Sequence, residues 1–341
     1  MSSQAFDGLA TNGGPVQSAP EWSMACPVCR GVIGPLPAAT NGPQHLVCPR
    51  CTASFPCVDG IWYLLPPDRQ AHYQTFLTEY TAIRLAERRG SSDPGYYRRL
   101  PEPTPGHPLA AQWTIRAATW RHVQRRVLPA LGSGSQVLDL GAGVGWLSYR
   151  LAELGHRPMA IDLTTDAVDG LGAARHYYPS WPRVQGEFDR LPLADRSVDA
   201  VIYNASLHYS VDYRSTLTEA CRVLRSGGHL IVLETPVYRH EHSGRAMVEE
   251  RHRRFADRYG TASASLPSIE YLTDERLRTL AQELRVSWHR TTPWYGWSWW
   301  WRPYRARLRR TRAPSRFHVL TARRPEPGLR PPRRSRADPP S

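Results

Sequence analysis

The sequence predicts an α/β fold: a mostly parallel sheet with helices on both faces, preceded by a small cysteine-rich module. Two observations carry this. The first is residues 136–162, where strand, glycine loop, helix and strand follow in order. The run Gln136-Val137-Leu138 leads into Asp139, and Gly141, Gly143 and Gly145 alternate through the loop. Trp146 to Leu154 then has helical spacing with Gly155 just beyond it, and Pro158 to Ile161 reads as a buried strand closed by Asp162. The second is the pair Cys26-Pro-Val-Cys29 and Cys48-Pro-Arg-Cys51. This C-x2-C-x18-C-x2-C pattern matches two knuckles, each giving two thiolates to one tetrahedral structural Zn2+.

The loop departs from the dinucleotide fingerprint. G-x-G-x-x-G needs its third glycine at position 146 so that the helix can pack closely on the strand, and this chain has Trp146 there. Asp139, two residues ahead of Gly141, repels phosphate and suits a cationic ligand with an amino-acid head group. The spacing therefore favours a sulfonium cofactor. Asp162, 23 residues after Asp139, stands where a carboxylate accepts two ribose hydroxyls.

Three further blocks extend the pattern: GEFDRLPLADRSVDAVIYNASLHY (186–209), LTEACRVLRSGGHLIVLE (217–234) and RFHVLTARR (316–324). Together these residues resemble the class I S-adenosylmethionine-dependent methyltransferases, most closely the group of quinone-biosynthesis and small-metabolite enzymes. The resemblance covers residues 131–322. It implies a Rossmann-like, seven-stranded sheet and S-adenosyl-L-methionine as cofactor. It also implies a cofactor site made of Asp139, Gly141, Gly143, Gly145, Asp162, Leu163, Glu187, Phe188 and Asn204. Glu187 holds the position that contacts the adenine amino group, where the family usually has Asp, and the backbone amide of Phe188 reads the ring.

The run SFPCVDGIWYLLPP (54–67) continues the cysteine module. It resembles the small zinc-ribbon proteins that activate transfer-RNA and protein methyltransferases, whose apolar tail packs on the partner. Cys57 is expected to pack rather than bind metal. Fused to its own catalytic domain, the ribbon (21–67) serves either as a built-in stabiliser or as a substrate-docking module. Residues 68–130 form a helical linker or lid. Tyr73, Phe76, Leu77, Tyr80 and Ile83 share one helical face, and Trp113, Ala117, Trp120 and Val127 another. The intervening SSDPGYYRRLPEPTPGHP (91–108) reads as a proline-rich loop, whose Tyr96, Tyr97 and His107 either line the acceptor pocket or simply pack.

Composition narrows the function classes. The net charge is +14, but residues 302–341 hold 13 Arg against only Glu326 and Asp338, so the rest of the chain is close to neutral. All 44 basic residues are Arg; any general base is therefore His, Asp, Glu, Tyr or Cys. No apolar run reaches 18 residues, and MSSQAFDGLATNGGPVQSAPEW lacks a basic start followed by an apolar stretch, so a cytoplasmic, reducing location is expected. Residues 1–20 and 323–341 are expected to be disordered.

Methyl transfer from a sulfonium is an in-line displacement in which alignment supplies much of the acceleration. One base suffices for a phenol, enol or acidic carbon. His208, after the fourth strand, is the candidate catalytic residue, with a place in the cofactor wall as the alternative. Asn204-Ala-Ser-Leu lacks the paired prolines of amine-binding walls, which argues against an exocyclic adenine amine. Residues 236–270 read as an insertion covering the acceptor, with an Arg-rich helix at 245–259; Thr273 caps the next helix, and a sixth strand begins near Val286. The 293–312 segment carries five Trp between Trp294 and Trp301 beside an Arg cluster. Its indoles either bury against the ribbon or N-terminal helices, sit at a membrane interface, or stack RNA bases. The expected function is O- or C-methylation of a small or lipid-like metabolite. The rivals are an rRNA or tRNA base methyltransferase that docks RNA through the ribbon and basic tail, and a non-enzymatic scaffold.

Overall fold

The computed structural model describes residues 21–37 and 44–325. The tails expected to be disordered therefore lie outside the described residues, except for 323–325, where Arg323 closes the last strand.

The ribbon supplies β1 (Ser23–Ala25), β2 (Val32–Pro35), β3 (Gln44–Val47), β4 (Ser54–Val58) and β5 (Ile61–Tyr63). Three helices follow: α1 (Pro67–Ala86), α2 (Pro94–Arg99) and α3 (Ala110–Arg126). The parallel strands and their crossings come next, with β6 (Gln136–Leu140), α4 (Trp146–Glu153), β7 (Arg157–Asp162), β8 (Arg183–Gln185), β9 (Val198–Asn204), α5 (Tyr213–Val223) and β10 (Leu224–Leu233). The remainder comprises β11 (Pro236–Tyr238), α6 (Glu241–Tyr259), β12 (Leu272–Thr273), α7 (Asp274–Glu283), β13 (His289–Thr291), α8 (Trp297–Trp300), α9 (Arg302–Leu308), β14 (Arg316–Phe317) and β15 (Val319–Arg323).

The central sheet runs β13-β15-β10-β9-β6-β7-β8-β5-β4-β3. Its seven catalytic strands are as expected, with β6 to β10 parallel and β15 inserted antiparallel between β10 and β13. β6 is buried at all five positions, which is what a central parallel strand covered on both faces requires. Strand order reverses between β6 and β9, so a crevice opens at their carboxyl ends.

The ribbon is not a detached appendage. β5 pairs in parallel with β8, Ile61 to Arg183 through Tyr63 to Gln185, and extends the sheet to ten strands. A bare β8 would leave a row of unpaired N–H and C=O groups at the sheet edge; β5 takes them. The ribbon's Trp22, Met24, Phe55, Trp62 and Leu64 join the same apolar core as Leu138, Met159, Leu191 and Leu193.

Two further elements differ from the sequence expectation. The stretch read as a proline-rich loop contains α2, because Asp93 caps Gly95 N–H at 2.8 Å and Pro94 sits at the first helical position. The sixth strand begins at His289 rather than near Val286, since α7 runs to Glu283 and Arg285 takes left-handed backbone. Thr273 caps α7 as expected, accepting from Arg276 N–H at 3.1 Å.

Trp146, the residue that rules out a dinucleotide loop, is spent on packing. The rings of Trp113 and Trp120 on α3 meet it edge-on at 6.2 and 6.1 Å. Such pairs add about 0.5–1.5 kcal/mol each beyond burial and fix α3 over the glycine loop.

Candidate active site

At the carboxyl ends of β6, β7 and β9 lies a cavity of about 480 Å3. The glycine loop forms its floor. Gly141 has φ +70°, and a Cβ there would come within 2.3 Å of Ser206 Cβ, so only glycine lets the loop approach the turn after β9. Gly143 has φ +54° and nothing within 4 Å of where a Cβ would stand; its open side is space for a ligand. Gly145 also has positive φ, but its Cβ position abuts Trp181 at 3.2 Å, and it does not line the cavity.

Asp162 lines the cavity and shapes the loop at once. Its carboxylate accepts Gly143 N–H and Thr164 N–H, both at 2.8 Å, and burial raises its pKa in spite of those bonds. Leu163, Glu187, Phe188 and Asn204 line the same cavity, and Asn204 Oδ1 is a buried oxygen with no hydrogen-bond partner among the described residues.

Asp139 is placed differently from the expectation. It sits beneath the loop, absent from the cavity wall, and its Oδ2 accepts Ser148 N–H at 3.2 Å and Ser148 Oγ–H at 2.8 Å. Burial pushes its carboxyl up to about 7; Oδ2 serves the first turn of α4, and Oδ1 is buried without a hydrogen-bond partner among the described residues. Gly145 and Asp139 are thus supports of the loop.

His208 lines the cavity, but its chemistry is not that of a strong base. Burial, then the charges of Arg251 and Arg116, bring its pKa down to about 3. The ring is neutral at pH 7 and has little affinity for an acceptor's proton. Tyr96 lines the cavity and accepts from Trp113 Nε1 at 3.1 Å. Tyr97 is fully buried and bonds the backbone oxygens of Ser91 and Val168, while His107 stacks on Tyr96; both pack instead.

Several cavity residues have no local sequence signature. Arg69 and Tyr73 of α1 converge on Glu187: Arg69 Nη2 donates at 2.6 Å and Tyr73 Oη at 2.9 Å to the same oxygen. Arg69 is half-buried and Glu187 buried, and their pairing fastens α1 to the loop after β8. The insertion meets α1 from the other side, where Thr261 Oγ1 donates to Glu79 at 2.8 Å and Leu266 packs on Tyr73 and Phe76. Arg116, Glu234 and Arg251 also line the cavity.

The four ribbon cysteines converge as the spacing predicts. Their sulfurs all lie within 4.8 Å of one another, with Cys26 to Cys51 and Cys29 to Cys48 each 3.6 Å apart. Tetrahedral coordination at a Zn–S length of about 2.3 Å places sulfurs roughly 3.8 Å apart, so the set fits the ion. The two knuckles share one hydrogen-bond pattern: Arg30 N–H to Cys26 O and Thr52 N–H to Cys48 O, both 2.9 Å, with Arg30 and Thr52 in left-handed backbone. Cys57 is buried away from this group, as expected.

Residues 138–232 match the methyltransferase domain family. A demethylmenaquinone methyltransferase of Mycolicibacterium paratuberculosis is 38% identical over 115 residues, which is 34% of this chain and 47% of that protein. An uncharacterized methyltransferase of Mycobacterium bovis is 41% identical over 104 residues, covering 30% and 40%. The chain thus spans about half or less of the length of these curated relatives. Among solved structures, a chain from the complex between the Haloferax volcanii Trm112 methyltransferase activator and a methyltransferase superposes with TM-score 0.44 at 18% identity, covering 63% of this chain and 97% of that one. A Mesorhizobium loti S-adenosylmethionine-dependent methyltransferase gives TM-score 0.45 at 17% identity, covering 62% and 100%. The strand order and the glycine loop agree with the methyltransferase domain that residues 138–232 match.

Proposed function

We propose that the chain transfers the methyl group of S-adenosylmethionine to an oxygen or carbon of a small or lipid-like acceptor, with a Zn2+ ion on the four ribbon cysteines. The observation that carries this reading is the one cavity in which the open face of Gly143 and the Asp162 carboxylate adjoin apolar walls from Phe76, Tyr80, Leu266 and Phe317. The first group suits a ribose and an amino-acid tail; the second suits an apolar acceptor. When bound, the cofactor supplies a methyl group on a positively charged sulfur. Asp162 would hold the ribose hydroxyls, Phe188 and Leu163 would flank the adenine, and Glu187 would reach its amino group while still paired to Arg69. α1 and the insertion cover one side of the cavity, and a bound cofactor and acceptor would displace water from it.

The test is a labelling experiment. Protein incubated with methyl-labelled S-adenosylmethionine and a bacterial lysate is expected to place label in the organic-soluble fraction. Label recovered instead in RNA would overturn the small-molecule reading in favour of base methylation.

The Trp/Arg segment supports attachment to an anionic membrane surface. One of its five indoles is packed, Trp299 on Phe317 at 5.3 Å, with Tyr295 Oη bonded to Thr119 beside it, whereas Trp294, Trp297, Trp300 and Trp301 are 45–68% exposed. Exposed Arg305, Arg307, Arg309 and Arg310 adjoin them. Exposed indoles beside cations match the headgroup region, and Phe317 links the patch to the cavity wall. The protein is expected to sediment with phosphatidylglycerol vesicles and not with phosphatidylcholine vesicles. Binding weakens at least tenfold in Trp297→Ser/Trp301→Ser; sedimentation unchanged by that double substitution would remove the patch from the account.

A further inference from the structure

Glu234, Arg116, Arg251 and His208 come from four separate segments, the end of β10, α3, α6 and the turn after β9, and all line the cavity. Three of their atoms, Glu234 Oε1, Arg251 Nε and His208 Nδ1, are buried without a hydrogen-bond partner among the described residues. A buried polar atom left unpaired carries the full cost of its desolvation. Three around one cavity point to a ligand that satisfies them. Glu234 is further singled out by its backbone, which is left-handed at φ +53° in a non-glycine residue, a conformation that persists only where its surroundings impose it. Arg116 Nε stands 3.6 Å from Glu234 Oε2 and the Thr119 hydroxyl also reaches this carboxylate, while Oε1 is the oxygen without a hydrogen bond. Burial raises the pKa of Glu234, making it a stronger base than a surface carboxylate, while His208 is a weak one.

Resting on the methyl-transfer reading, we propose that Glu234 is the catalytic base: Oε1 takes the proton of an acceptor hydroxyl, and Arg116 and Arg251 hold the oxyanion that results. The acceptor O–H bond breaks with its electron pair left on oxygen, the carboxylate becomes a carboxylic acid, and the charge of the pocket is unchanged. The freed oxygen, or the conjugated carbon of an enolate, is then the methyl-accepting atom. The acceptor class is an acidic hydroxyl compound, a phenol or an enol conjugated to a carbonyl, rather than an amine.

The probe is para-nitrophenol, whose phenolate is yellow and whose phenol is not, added to protein saturated with S-adenosylhomocysteine. Bound to the wild type it is expected to ionise at least tenfold more readily than in free solution. Below the probe's free pKa the wild type turns it yellow without releasing a proton to the buffer, because Glu234 keeps it; Glu234→Gln releases one proton for each probe ionised, and Arg251→Gln reduces the ionisation itself. Calorimetry with S-adenosylhomocysteine checks that each variant is folded; should Glu234→Gln fail this check, Arg251→Gln decides. A probe that stays out of the pocket, that titrates there as in free solution, or whose ionisation releases as many protons from the wild type as from the folded Glu234→Gln protein overturns the assignment. A wild type that does not bind S-adenosylhomocysteine instead overturns the methyltransferase reading on which it rests.

Discussion

Replacing Cys48 with Ser in the zinc-loaded protein is expected to lower the melting temperature of the whole chain in a single transition. A structural zinc site of four thiolates contributes its binding energy to folding, roughly 10–16 kcal/mol in isolated zinc modules, and loss of one thiolate removes a sizeable part of it. Even about 3 kcal/mol lost corresponds to a fall on the order of 10 °C for a domain of this size. The effect reaches the catalytic domain because the two share one sheet and one core. β5 pairs with β8, Leu64 N–H bonds Gln185 O at 3.0 Å, and Ala194 N–H bonds Ser23 O at 2.9 Å. Arg30, the residue after the first knuckle, pairs with Glu219 on α5, and Glu219 accepts Leu191 N–H at 2.8 Å in the loop that follows Glu187 and Phe188. The ribbon thus braces the adenine side of the proposed cofactor site. Differential scanning calorimetry checks this; two transitions, with the larger one unmoved by Cys48→Ser, would mean the ribbon is an independent module.

Gly141→Ala is expected to weaken S-adenosylmethionine binding at least tenfold, or by about 1.4 kcal/mol, while leaving the protein folded. The added Cβ would stand 2.3 Å from Ser206 Cβ, and φ +70° itself disfavours an L side chain by about 1–2 kcal/mol. Ser206 cannot give way easily, since its Oγ donates to Leu140 O, the residue just before the glycine. The loop must therefore lift, and with it Gly143 N–H leaves Asp162. Gly134→Ala, where a Cβ meets nothing and φ is also positive, carries the backbone cost alone and controls for it.

Much of the glycine loop and its setting was legible in the chain because it is encoded locally. A five-residue strand, three glycines at alternate positions and an acid closing the next strand all lie within 27 consecutive residues, and their spacing alone fixes which atoms meet. The cysteine pairs are legible for the same reason. Local reading failed where a residue's duty depends on its partner. Asp139 and Gly145 carry the right spacing, yet Ser148 and Trp181 claim them for support. Arg69 reaches Glu187 across 118 positions, and no periodicity signals such a pair. His208 has the right residue type, but its protonation is set by burial and by Arg251 and Arg116 from helices far away in sequence. Glu234 read only as the end of a strand; its unpaired oxygen exists because α3 and α6 close over it. The ribbon's merger with the sheet was equally hidden, since the run 54–67 reads as an apolar packing tail and does not name β8 as its neighbour.

The most direct measurement is calorimetric titration of the zinc-loaded protein with S-adenosylmethionine, beside Gly141→Ala. Saturable one-to-one binding in the micromolar range, lost or weakened at least tenfold in the variant, is the predicted result. A folded, zinc-loaded wild type that takes up no S-adenosylmethionine would contradict the account.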